Sequence, residues 1–188
     1  MEHKKTPSAS FRVRAAKLAD VPALMRLKRA LAEAEDSLHA LRADAVDWVR
    51  DGFGPDAGFT AFVAEAANAG TIIGMATCSR RVITGWNGPV IFLQDLFVEP
   101  AYRRDGVAGA LMARVAALAQ KIGSPIIELT VHADNPAQEF YRRNGFQLLP
   151  QCLTYVLAGP ALAALAARGK DEQQDQQADK QGQLAAAG

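Results

Sequence analysis

Two spacings of apolar residues alternate along this chain. Residues 11–14 alternate apolar and basic side chains, the two-residue period of a strand. Asp20 ahead of Val21-Pro22 then marks a helix start with Asp20 as its N-cap, and Leu24, Leu27 and Leu31 recur at helical spacing. Past the acidic turn Glu33-Ala34-Glu35-Asp36, the pattern predicts a second helix from Asp44 to Arg50, broken by Asp51-Gly52-Phe53-Gly54-Pro55. Strands are predicted over 59–64, 71–79 and 90–98, the last rich in β-branched and aromatic residues and ended by Glu99-Pro100. Val107, Leu111, Met112, Val115 and Leu118 set a helix that Gly123-Ser124-Pro125 stops, before a strand over 126–131. Asn135 as N-cap, Pro136 at the first helical position and Gln138 open a short helix that Gly145 ends, with strands expected from Phe146 and over 151–157. This order of elements predicts an α+β fold, one layer of sheet with helices against it.

The pattern fades at both ends. Residues 1–10 form a polar lead without the apolar segment of a signal peptide, residues 11–159 form one domain, and 160–188 form an Ala/Gln-rich tail. Within the tail 161–168 is alanine-rich enough for a short helix. Residues 170–188 carry too few bulky apolar side chains to offset the cost of ordering.

Composition narrows the function classes. At 188 residues and 49% hydrophobic, the chain suffices for one domain with a sizeable core. A net charge of +1 gives no bulk attraction to nucleic acid or an anionic membrane, and no apolar run reaches membrane-spanning length. Cys78 and Cys152 are too few for a disulfide framework or a metal site, and read as reduced core cysteines. His39 and His132 fit a turn and a strand end, so no metal set is expected. A soluble, cytoplasmic protein with a small-molecule partner is the expectation.

The candidate chemistry lies where the strand over 90–98 feeds a basic, glycine-bearing turn that opens the long helix. Amides at a helix start lack intrahelical partners and sit at the positive end of the dipole, so the turn can hold phosphate. Arg103 and Arg104 add charge, and Gly106 and Ala108 let an anion approach the backbone. Arg103-Arg104-Asp105-Gly106-Val107-Ala108 resembles the Arg/Gln-x-x-Gly-x-Gly/Ala turn of the GNAT N-acetyltransferase superfamily. The segment from Asn135 through Ala137, Phe140-Tyr141 and Gly145-Phe146 resembles a second GNAT motif, Asn-x-x-Ala-x-x-Phe-Tyr-x-x-x-Gly-Phe. The likeness runs over about residues 11–157 and includes the opening strand and helix.

That resemblance implies a GNAT-type acyl-CoA N-acyltransferase fold, with a central mixed, mostly antiparallel sheet flanked by helices. It also implies acetyl-CoA as co-substrate and a homodimer. The cofactor contacts it implies are Leu96, Phe97, Val98, Arg103, Arg104, Gly106, Val107, Ala108, Gly109, Asp134, Asn135 and Arg143. Asp134 stands where the family usually has asparagine, leaving open whether it or Asn135 meets the pantetheine arm. Tyr141 matches the tyrosine that serves many members as general acid, and a backbone N–H near Phe97 or Val98 would polarise the thioester carbonyl. No serine, cysteine or histidine stands at nucleophile spacing, so direct transfer is expected in place of a covalent relay.

Residues 51–54, 62–65, Trp86-x-Gly88 and 93–98 look like the spermidine/spermine (diamine) N-acetyltransferase branch, with one departure. Gln94 occupies the position where that branch usually carries glutamate. Glu33, Glu35, Asp36 and Asp95 are expected around the mouth of the cleft, where a cationic amine would want acidic neighbours. Of these, Glu33, Glu35 and Asp95, together with Trp86 and Gln94, form the substrate candidates, for a diamine, polyamine or lysine-like amine. Two alternatives are a non-catalytic acyl-CoA-binding regulatory module and a GNAT enzyme acting on protein amines.

Overall fold

A computed structural model describes residues 10–68, 70–85 and 87–167, and its chain divides into two compact units, Met1–Ala133 and Asp134–Gly188. The first unit holds a five-stranded sheet whose spatial order follows the chain. Its strands are β1 Phe11–Ala15, β2 Thr60–Ala66, β3 Ile72–Val82, β4 Pro89–Val98 and β5 Ile127–Glu128. The first four pair antiparallel, and β5 joins β4 in parallel through Ile91↔Ile127 and Phe92↔Glu128. Helices α1 Val21–Ala34 and α2 Ala45–Phe53 lie between β1 and β2, and α3 Val107–Lys121 makes the crossover that a parallel β4–β5 pair requires. The α+β, mostly antiparallel mixed sheet expected from the sequence is the one found.

Strand alternation sorts the core into two faces. Ala61, Val63, Met75 and Phe97 pack with Val21, Leu24 and Leu27 of α1 and Trp48 of α2. On the other face, a Cβ at Gly74 would stand 3.3 Å from side-chain carbons of both Leu111 and Val107 of α3, so a bare backbone lets α3 seat close to β3. Leu24, Leu27 and Leu111 are fully buried, each contributing about 1.5–3 kcal/mol. Burial on that scale is what holds a helix of this length, which alone in water is marginal.

Local chemistry shifts several boundaries. Asp20 holds the expected N-cap position of α1 but gives the helix amides no side-chain bond: its carboxylate takes the Arg14 guanidinium at 2.6 and 2.9 Å and the Lys17 N–H at 2.7 Å, closing the 3₁₀ turn Leu18–Asp20. A two-pronged charged donor outcompetes the helix amides. Helix α2 is capped by Asp44, where the helix itself was expected to begin; Asp44 accepts from Val46 and Asp47 N–H, and α2 runs past the expected end at Arg50 and past Gly52 to Phe53. A Cβ at Gly52 would lie 2.5 Å from the Phe59 ring, so this glycine allows the packing of Phe59 where it was expected to break the helix. Trp48 meets the same ring edge-on at 5.2 Å.

In the second unit α4 Gln138–Arg143 is followed by a helical run at 159–167. Helix α4 starts later than Pro136, because Asn135 first closes a turn, its Oδ1 accepting the Ala137 N–H at 2.8 Å. Gly145 ends it in the left-handed region (φ 86°), with Phe146 N–H reaching Tyr141 C=O and Gly145 N–H reaching Arg142 C=O. The strands expected from Phe146 and over 151–157 are absent among the described residues, and the strand expected over 126–131 is reduced to Ile127–Glu128. Leu148, Leu153, Tyr155 and Val156 are exposed. A strand pattern becomes a strand only where a partner edge completes its ladder. The lead at 1–9 and the tail from 168 onward lie outside the described residues. Among the described residues no helix is long and apolar enough to cross a membrane.

Candidate functional site

β4 builds one side of the site. Thr77 pairs with Asp95 and Cys78 with Leu93, so Gln94 is the extra residue of a β-bulge. The bulge leaves Gln94 exposed and Asp95 buried at 8% exposure. Beyond it, Glu99 N–H donates to Ile73 C=O on β3 at 2.9 Å. Peptide directions alternate along a strand, so Phe97 also faces β3 while Leu96 and Val98 present their backbone groups to the opposite side. There β5 pairs with β4 only at Ile91 and Phe92. Of the two amides expected to polarise a carbonyl, Val98's is thus the one directed away from β3. Its own carbonyl accepts from Arg103 Nε at 3.1 Å.

The turn after β4 has the conformation an anion cradle needs. A short 3₁₀ turn, Pro100–Tyr102, precedes Arg104 (φ 71°) and Gly106 (φ 84°), both left-handed, and α3 begins at Val107. A left-handed arginine carries a strain of about 1–2 kcal/mol, and such residues turn successive N–H groups toward one centre. The first amides of α3, from Val107 to Gly109, have no acceptor one turn back within the helix. A Cβ built on Gly106 or on Gly109 meets nothing within 4 Å, so the backbone there is open to a ligand. These residues fit the pyrophosphate of an acyl-CoA. Arg103 is used differently from Arg104: besides Val98 C=O it stands over the Phe97 ring, pinning the turn to β4. Arg26 of α1 anchors the same corner, pairing with Glu99 and donating to Ile72 C=O at 2.7 Å.

The remaining cofactor and acid candidates lie in the second unit. Tyr141 is partly buried, its ring edge-on to Phe140 at 5.5 Å and to Phe146 at 5.6 Å. Asn135 spends its side-chain oxygen on the Ala137 amide, Asp134 is exposed, and Arg143 lies 3.8 Å from Glu139. Trp86 lies outside the described residues.

The acids expected around the mouth of the cleft differ in setting. Glu33 is exposed and 3.4 Å from Arg29, Glu35 is exposed at the end of α1, and Asp36 is a left-handed turn residue (φ 51°). Asp95 is engaged within the protein: Thr77 Oγ1 donates to one oxygen at 2.6 Å and Lys28 Nζ to the other at 2.5 Å. Lys28 was missed by sequence reasoning. The available signal was its place four residues after Leu24 and beside Leu27, on the stripe that α1 buries. Beside it opens a cleft of about 320 Å³, lined among the described residues by Lys28, Ser37, Leu41, Arg42 and three alanines.

The cysteines also divide. Cys78 is buried on β3, and burial pushes its thiol up to about 11, so it stays protonated and inert. Cys152, expected in the core, is exposed because its segment forms no strand.

Comparison with known proteins agrees with this geometry. The model of the Acetyltransferase (GNAT) family matches residues 23–146. Thialysine N-epsilon-acetyltransferase of Mus musculus is 30% identical over 169 residues, covering 85% of this chain and 99% of that protein. Spermidine/spermine N(1)-acetyltransferase-like protein 1 of Homo sapiens is 30% identical over 120 residues, 62% of this chain; the match spans only 17% of that longer protein. Among solved structures, an aminoglycoside N-acetyltransferase in complex with CoA superposes with a TM-score of 0.57 at 24% identity, covering 79% of this chain and all of that one.

Proposed function

This chain belongs to the acetyltransferase (GNAT) family, whose co-substrate is acetyl-CoA, and from that premise we propose that it acetylates a small primary amine. The amine is of the diamine, polyamine or lysine-like kind, in keeping with relatives named for spermidine/spermine and thialysine. The observation that carries the reading is the paired left-handed conformation of Arg104 and Gly106 between the β4 end and the α3 amides. That arrangement offers donors to a pyrophosphate within a few residues of a strand amide able to polarise a carbonyl.

In the proposed step the deprotonated amine nitrogen forms a bond to the thioester carbonyl carbon, and the carbon–sulfur bond breaks. The departing sulfur takes the Tyr141 hydroxyl proton, and the nitrogen's surplus proton passes to solvent. Gln94 cannot accept that proton, and Asp95 already holds Lys28 and Thr77. The products are the acetylamide and CoA, and the phenolate is reprotonated from water. On the same reading, residues 11–159 are the catalytic domain, and the enzyme works in the cytoplasm as a homodimer.

Thiol release from acetyl-CoA across a panel of primary amines tests the proposal. Release that depends on both amine and enzyme is expected. Tight acetyl-CoA binding with no release for any amine would make the chain a binding module instead.

A further inference from the structure

We infer that Lys28 is a specificity-determining residue: its ammonium takes, on the buried carboxylate of Asp95, the place that a second positive charge of an acceptor would need. The chain then gives a diamine no advantage over a monoamine of the same length. This deepens the transfer reading above and rests on it.

Asp95 has what a cation site requires. It is buried on β4, three residues before Val98 and on the sheet face that α1 covers, the face that also carries Phe97. Thr77, itself 2% exposed, closes one carboxylate oxygen at 2.6 Å. The other oxygen is met by Lys28 Nζ at 2.5 Å. A buried carboxylate left without a cation is costly, and here the compensating charge comes from the protein itself.

Lys28 also stands between this carboxylate and open space. The same side chain ends on Asp95 and lines the cleft beside α1, with 31% of its surface exposed. The rest of the described lining comes from Ala32 and from residues 37–43, and its charged member, Arg42, is a second cation. Like charges at the cleft disfavour a dication further. Shortening Lys28 to an apolar side chain would free the outer oxygen of Asp95 on the side where the cleft lies.

The lengths then suit a diamine. At about 3.3 Å per residue, the Val98 amide lies roughly 10 Å along β4 from Asp95. Cadaverine spans about 7–8 Å between its nitrogens, counting six bonds near 1.5 Å in zigzag. A charge-assisted hydrogen bond of about 2.8 Å supplies the remainder. Without Lys28, one ammonium can sit on Asp95 while the other nitrogen faces a carbonyl held at Val98; with Lys28 in place, the first ammonium has no seat.

Cadaverine and n-pentylamine, which differ by the second nitrogen, are the probes, titrated calorimetrically at constant ionic strength with CoA present. Wild type should bind the two within about threefold, the size of an exposed charge contact. Lys28→Met should bind cadaverine at least about tenfold more tightly than pentylamine, because a hydrogen bond to a charged group is regained. Lys28→Arg should keep the wild-type ratio, and Lys28→Met/Asp95→Asn should lose the new preference. Where Lys28→Met does not fold, Lys28→Gln, whose amide can still donate to Asp95, carries the same expectation. A wild type that already prefers cadaverine by about tenfold or more, a ratio unmoved in the folded neutral variant, or a preference that survives loss of the Asp95 charge would each overturn the inference. Initial rates of CoA release separate it from the transfer reading. The expected binding shift with no release for any amine supports the role of Lys28 and sinks transfer; release from both amines with no binding shift does the opposite.

Discussion

Lys28 Nζ on α1 stands 2.5 Å from Asp95 Oδ1 on β4, and Thr77 Oγ1 holds the other oxygen of the same carboxylate at 2.6 Å. Helix, strand and neighbouring strand are thus joined through one buried charge. Removing a single partner of such a pair strands the other, at a cost of about 3–5 kcal/mol when fully buried. Lys28 keeps 31% of its side chain exposed, so Lys28→Met should cost less, about 2–3 kcal/mol. The double variant Lys28→Met/Asp95→Leu should recover part of the loss. Urea denaturation of the four proteins in the cycle measures this, and strictly additive losses would show that the two residues act independently.

Gly106 has a left-handed backbone (φ 84°), and its neighbouring amides open α3. Gly106→Glu should strain the turn by about 1–2 kcal/mol and place a carboxylate where phosphate would bind. We expect a folded protein that has lost acetyl-CoA affinity by more than about 100-fold, as each 1.4 kcal/mol of lost binding is tenfold. Calorimetric affinity equal to wild type in the folded variant would remove the turn from the cofactor site.

Tyr141 packs edge-on to Phe140 and Phe146. Tyr141→Phe keeps those ring contacts and deletes only the hydroxyl. A general acid contributes about 10²–10⁴-fold, so kcat should fall by that order while acetyl-CoA affinity stays near wild type. A kcat within about twofold of wild type, the size of a packing adjustment and not of a lost acid, would return Tyr141 to a structural role.

Gln94 is the exposed residue of the β4 bulge, and it cannot accept a proton. The rate should therefore rise with pH, as more of the amine is already neutral. Gln94→Glu restores a carboxylate at that position and should raise the rate near neutral pH and flatten the profile. Identical pH–rate curves for the two proteins would show that position 94 does not reach the amine.

Arg14 links the first strand to its surroundings by holding two carboxylates. Its guanidinium lowers the carboxyl of Asp20 below the ordinary 3.8 and, with help from Arg12, that of Glu65 below 4.5. Both folded values are depressed, so this stabilisation is complete above the unfolded values and is lost as pH falls through the folded ones. Wild-type stability should then fall as pH drops below about 4.5 toward the depressed values, with a shallower fall in Arg14→Met. Denaturant midpoints measured from neutral to acid pH test this; parallel curves would mean that these pairs contribute nothing.

What the sequence determined by itself was whatever depends on neighbours in the chain. The periods of α1, α3 and the first four strands, the Gly145 stop and the basic turn after β4 could all be read from residues within a turn or two of one another. The family likeness rests on the same local runs, because a phosphate cradle is built from consecutive backbone amides.

Tertiary structure decided what depends on partners distant in sequence. Asp95 was legible as a carboxylate near the strand end but not as Lys28's partner, since only the packing of α1 on the sheet brings residues 67 apart together. Gly52 looks like a helix breaker until the Phe59 ring occupies the space that its missing side chain leaves, and the bare backbone of Gly74 within its strand has a use only once α3 packs there. Residues 151–157 include Thr154, Tyr155 and Val156, types that favour strands, yet hydrogen bonding in a sheet is supplied by the neighbouring edge, and that information is not in the segment.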